Sequence, residues 1–113
     1  MKPVLKYGSR LLPLDSELST IGRKFDNTIV LSSQTISRYH AEIVLINGDY
    51  VLRDLNSSSG TYLNDRRIAF PEVLKSGDRI NMADVELIFM KDEQEYDTTK
   101  SRTSPLDPKD LDE

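Results

Sequence analysis

Residues 40–46, HAEIVLI, set Ala41, Ile43 and Leu45 on one face of an extended chain and Glu42, Val44 and Ile46 on the other, the two-residue period of a β-strand. Asn47 and Gly48 follow as a hairpin signal, and Tyr50 to Leu55 returns from it. Before this pair, VLKYGSRLLPL from Val4 to Leu14 predicts two short strands joined through Gly8 and Ser9, with Pro13 at an edge or an end. Ser19 to Lys24 and Thr28 to Leu31 predict two more, separated by a turn at Phe25, Asp26 and Asn27. After it, Thr61 to Asn64 and Arg66 to Ala69 read as a hairpin around Asn64 and Asp65, and Arg79 to Met82 and Val85 to Met90 as the last strands. With ten or eleven short strands and no helical period, the expected fold is all-β, an antiparallel β-sandwich, with a closed barrel as the alternative.

Composition narrows this picture. The 113 residues suit one domain with its own core. No apolar run approaches the roughly 18 residues of a membrane span, and the first residues lack a signal-peptide core, so the expected location is cytoplasmic or otherwise intracellular. Absence of cysteine removes disulfides and thiol chemistry.

Charge divides the chain. Residues 1–91 carry 12 Lys/Arg against 11 Asp/Glu, and residues 92–113 carry 3 against 8. A neutral body argues against a broad nucleic-acid surface but permits a small anion pocket. The stretch 92–113, with few apolar residues, many charges and two prolines, is expected to be an acidic disordered tail or linker beyond a domain of residues 1–91.

The densest chemistry lies in DLNSSSGTYLN, residues 54–64, where Asn56, Ser57, Ser58, Ser59 and Gly60 make a hydroxyl-rich tip between two strands. Taken alone, such serines are solvated turn residues, Arg23 is an exposed surface arginine, and Ser37 and Ser58 cap local turns. His40 suggests a metal ligand or the base of a triad with Ser37 and Asp54. Both readings are poor: there is no second histidine and no cysteine, and no GxSxG elbow or oxyanion hole is visible.

Taken together, this tip, IGRK at 21–24, SRYH at 37–40 and LKSGDRI at 74–80 resemble the forkhead-associated domain, a module that binds phosphothreonine peptides. The resemblance covers residues 1–91. It implies a β-sandwich with its binding loops gathered at one end, no catalysis and no cofactor. By resemblance, Arg23 after Gly22 contacts the phosphate, Ser37 and Ser58 donate hydroxyls to it, and Arg38, Ser59 and Asn64 complete the peptide-facing set. Asn64 has a second reading, holding the next turn. Gly22, His40, Asp54, Gly60 and Thr61 support the loops from behind, and Leu74, Gly77, Asp78 and Ile80 are structural.

Two positions depart from the family pattern. Ser59 stands where asparagine often contacts the peptide main chain, and Asp65, where glycine is common, is expected to put a carboxylate near the loops. Thr35 and Ile36 lie where the family often sets a downstream preference. The implied partner is a phosphothreonine protein or peptide, such as a Ser/Thr kinase or its substrate, bound by a monomer with no direct contact to nucleic acid or membrane. One alternative is a switch that binds its own tail, phosphorylated at Thr98, Thr99 or Thr103, within one chain or between two. Another is a scaffold that binds without phosphate through a sheet face or edge.

Overall fold

A computed structural model describes residues 3–91 of the chain. Eleven strands succeed one another: β1 (Val4–Tyr7), β2 (Arg10–Pro13), β3 (Leu18–Gly22), β4 (Ile29–Val30), β5 (Ala41–Ile46), β6 (Asp49–Asp54), β7 (Tyr62–Leu63), β8 (Arg66–Arg67), β9 (Glu72–Val73), β10 (Arg79–Met82) and β11 (Val85–Met90). They form two sheets, ordered β2-β1-β11-β10-β7-β8 and β4-β3-β5-β6-β9. The all-β sandwich expected from the periodicity is the fold found.

Alternation decides what goes inside. In β11, Val85, Leu87 and Phe89 are buried while their neighbours are not, and in β5 Ala41 and Ile43 face the core. Phe89 lies opposite Leu5 across β1 and β11, and Leu87 lies opposite Ile80 across β10 and β11. From the other sheet come Ile21, Ile43 and Leu52, all buried. Tyr50 packs against Phe89 with ring centroids 5.9 Å apart and planes tilted by 48°, within contact range for an aromatic pair.

Turn chemistry fixes the registers. Asn47 and Gly48 have φ of 51° and 87°, and Asn64 and Asp65 have 50° and 72°, the left-handed pairs that a two-residue hairpin needs. The β10–β11 turn instead places Ala83 at φ 54°, a conformation unfavourable to a Cβ.

Two features differ from the expected pattern. The strands β3 and β4 pair in parallel, Ile21 with Ile29 and Gly22 with Val30, because residues 23–28 fold back on themselves instead of making a hairpin. Strand β9, absent from the sequence reading, adds Glu72 and Val73 to the edge of β6. Its two residues are too short to show a period.

Candidate functional site

Gly22 ends β3, and its value is proximity. A Cβ built there would stand 2.1 Å from the carbonyl oxygen of Arg38, so only glycine lets the two backbones meet. The contact docks the β3–β4 loop on the β4–β5 loop. Arg23 N–H donates to Ser37 O at 3.1 Å and Lys24 N–H to Arg38 O at 3.2 Å. The Nδ2 of Asn27 donates at 2.8 Å to both Lys24 O and Arg38 O. Arg23 Nε donates to Ile36 O at 2.9 Å, and Ser59 Oγ to Thr35 O, also at 2.9 Å. Four consecutive carbonyls, those of residues 35–38, are thereby taken up by donors from two other loops.

Arg23 is exposed. With Nε fixed on Ile36 O, its terminal nitrogens have no hydrogen-bond partner among the described residues, and they are the fork that suits a phosphate. Ser58 N–H donates to Ser37 Oγ at 3.1 Å, and the two hydroxyl oxygens stand 3.3 Å apart. Residues 21 positions apart in sequence thus present adjacent hydroxyls.

Behind them lies His40, fully buried. Its Nδ1 accepts the N–H of Ser37 at 3.1 Å, and its Nε2 lies 2.8 Å from Gly60 O. One nitrogen must accept and the other donate, so the ring is neutral with its proton on Nε2. Both nitrogens are spent on backbone, which leaves His40 neither a base nor a ligand position.

Asp54 closes the third loop. Its carboxylate accepts Ser57 N–H at 3.1 Å, the hydroxyl of Ser57 and that of Thr61 at 2.7 Å. Ser57 Oγ in turn accepts Gly60 N–H at 2.9 Å. Burial alone would raise the pKa of Asp54. The hydroxyls of Ser57 and Thr61 and the Ser57 N–H outweigh it and hold the group below its ordinary value. Gly60 has φ +87°, and a Cβ there would stand 2.7 Å from Arg67 Nε, so the arginine packs directly on its backbone.

Several expected site residues sit otherwise. Of the two readings of Asn64, the turn is the one its amide serves: Nδ2 donates to Asp78 Oδ1 and Oδ1 accepts Arg79 N–H, both at 2.9 Å. Asp65 is gripped by Arg79 through two bonds of 3.0 Å, so it does not lend the loops a bare carboxylate. Ile36 is buried and contributes its carbonyl, not a reading side chain. The Ser59 hydroxyl keeps only acceptor capacity for a peptide, since its proton is on Thr35 O. Arg38 remains exposed. Thr98, Thr99 and Thr103 lie outside the described residues.

The sequence reading missed Asn27, Ser57, Arg67 and Asp84. Ser57 was readable from the DLNS spacing, in which an aspartate accepts the N–H three residues on, and Arg67 from its position opposite Tyr62 in the hairpin. Asn27 and Asp84 depend on contacts that no local signal announces.

Comparison with known proteins agrees with this geometry. The family profile described as FHA domain matches residues 19–83. Transcriptional regulatory protein EmbR of Mycobacterium tuberculosis is 43% identical over 77 residues, covering 68% of this chain and 20% of that protein. Glycogen accumulation regulator GarA of the same organism is 39% identical over 83 residues, covering 74% and 50%. This chain therefore spans between a fifth and half of those relatives. A solved structure of M. tuberculosis EmbR in complex with a low affinity phosphopeptide superposes with a TM-score of 0.77 at 38% identity, covering 79% of this chain and 24% of that one.

Proposed function

Because this chain belongs to the FHA, or forkhead-associated, domain family, we propose that it is a non-catalytic signalling module whose domain, residues 1–91, docks a phosphothreonine segment of a partner protein on Arg23, Ser37 and Ser58. The observation that carries this reading is the adjacency of the Ser37 and Ser58 hydroxyls, 3.3 Å apart, beside an arginine tethered through Ile36 O. A phosphate monoester brings close to two negative charges and three acceptor oxygens. One guanidinium fork and two hydroxyls match that demand without adding a competing carboxylate. The solved complex of EmbR with a phosphopeptide supports the same ligand class here, and the partner is accordingly a substrate of a Ser/Thr kinase or the kinase itself.

Calorimetry with a phosphothreonine peptide library and its unphosphorylated counterparts tests the proposal. Bonds to charged groups contribute roughly 1.5 to 3 kcal/mol each, so Arg23→Ala should weaken binding by about tenfold or more. Equal binding of phosphorylated and plain peptides defeats it.

A further inference from the structure

Strand β2 ends one sheet and β4 ends the other, and residues of both line a single cleft of about 380 Å³. Its apolar lining is Tyr7, Leu12, Ile29 and Leu31, and Arg10 and Asp15 are among its charged residues. Tyr7 and Leu12 pack on the core while only partly buried. The cleft therefore opens toward the apolar interior.

Strand β2 also has backbone groups turned outward. Leu14 N–H donates to Pro3 O at 3.0 Å, and groups facing the neighbouring strand alternate with groups facing away, so the N–H and C=O of Leu11 and the C=O of Pro13 point away from β1. Pro13 has no N–H to offer, but Leu11 does. The Leu11 side chain is 60% exposed. Such an edge is a template for a further strand, and folded proteins ordinarily cover it.

The strand register shows what lies near enough to cover it. Met90 is opposite Val4 and Val4 is opposite Pro13, so the chain leaves β11 two strand spacings, roughly 10 Å, from the Pro13 end of this edge. Tyr96 is five residues beyond Lys91, a span of at most about 16 to 18 Å. Charge agrees with reach. Residues 92–97, DEQEYD, carry four carboxylates, no cation and one aromatic ring, whereas residues 4–13 carry Lys6 and Arg10 and no carboxylate.

We propose that residues 92–98 of this chain add to β2 as an antiparallel strand, with Tyr96 seated in the cleft between β2 and β4. Directly opposed residues share a face of a sheet, so a tyrosine opposite Leu12 points into the cleft. Its neighbours Glu95 and Asp97 then fall on the outer face, where Lys6 lies opposite Leu11. Main-chain bonds to Leu11 hold the added strand and the ring fixes its register. The contact uses none of Arg23, Ser37 and Ser58, so it stands independently of the phosphothreonine reading.

The test is amide hydrogen exchange and NMR on the full chain and on its Tyr96→Ser and Tyr96→Phe variants, all at several protein concentrations. Tyr96 lies outside the sandwich core, so neither variant threatens the fold. The Leu11 amide should exchange about tenfold or more faster in Tyr96→Ser than in the wild type, and the Leu12 and Ile29 resonances should move. Tyr96→Phe, which keeps the ring, should resemble the wild type. Equal Leu11 exchange in the wild type and Tyr96→Ser, with the Leu12 and Ile29 resonances in place, overturns the proposal. So does protection that grows with protein concentration and survives Tyr96→Ser, because a second copy of the chain then covers the edge.

Discussion

His40 Nδ1 accepts the backbone N–H of Ser37 at 3.1 Å, and through its other nitrogen the same buried ring holds Gly60 O at 2.8 Å. One imidazole therefore ties the loop that carries Ser37 to the loop that carries Ser58. His40→Ala would orphan both backbone groups and open a cavity, and unsatisfied buried groups cost roughly 1 to 3 kcal/mol each. We expect a loss of about 3 kcal/mol or more in urea denaturation, with weakened phosphopeptide binding in whatever fraction stays folded. A loss under about 1 kcal/mol would mean that the ring is not the brace.

The brace at Asp54 predicts an acid limit. Its folded-state pKa lies below the ordinary aspartate value of 3.8, so between those two values the unfolded chain binds more protons than the folded one. Its contribution is therefore complete above the unfolded value and lost as pH falls through the folded one. Stability measured by denaturation should decline below about pH 4. Asp54→Ala, which removes the acceptor of Ser57 and Thr61, should lower stability at neutral pH and flatten that decline. An unchanged acid limb in the variant counts against Asp54 as a contributor.

Gly22→Ala places a methyl group 2.1 Å from a backbone oxygen, which neither side can relieve by turning a side chain. The β3–β4 loop must move away from Arg38, and Arg23 moves with it. The expected loss is about 2 kcal/mol or more in stability, with Arg23 and Ser37 amide resonances displaced in NMR spectra. Gly48→Ala, at φ +87° but with open space around it, should cost only turn strain of about 1 kcal/mol and leave those resonances in place.

The course of β11 bears on whether the chain can bind its own tail. Val85 follows the Asp84 turn at the rim, and Met90 lies five residues further along the strand, about 17 Å away, beside Ser76, whose hydroxyl accepts Lys91 N–H at 3.0 Å. Thr98 is eight steps from Met90, at most about 26 to 29 Å, and has to turn back along the sandwich to return. Thr103, thirteen steps away, has at most about 43 to 47 Å. Phosphorylation of Thr103 should therefore shift Arg23 and Ser37 resonances in a monomer more strongly than phosphorylation of Thr98, whose shorter span leaves less slack after the return along β11. Equal shifts in the two monomeric phosphoforms contradict this.

What the sequence could disclose follows from how far apart the partners lie. Asn47-Gly48 and Asn64-Asp65 announced their hairpins because left-handed turns need residues of that kind, and the alternation in Ala41 to Ile46 identified a half-buried strand. Arg23, Ser37 and Ser58 were picked out through motif likeness, since nothing in their local chemistry separates them from solvated loop residues. The parallel β3–β4 pair depends on residues 23–28 folding back, and the grip of Asp84 on Thr35 joins positions 49 apart. Asn64 was ambiguous because a turn amide and a ligand amide look alike until Asp78 and Arg79 are seen around it.

With the carbonyls of residues 35–38 already occupied, an arriving peptide has little backbone to rearrange. Encounter and capture then merge into one event governed by diffusion and the field of the rim cations. Stopped-flow traces would rise as single exponentials, with rates linear in peptide concentration and slowed by added salt, because no loop has to close before the complex is complete.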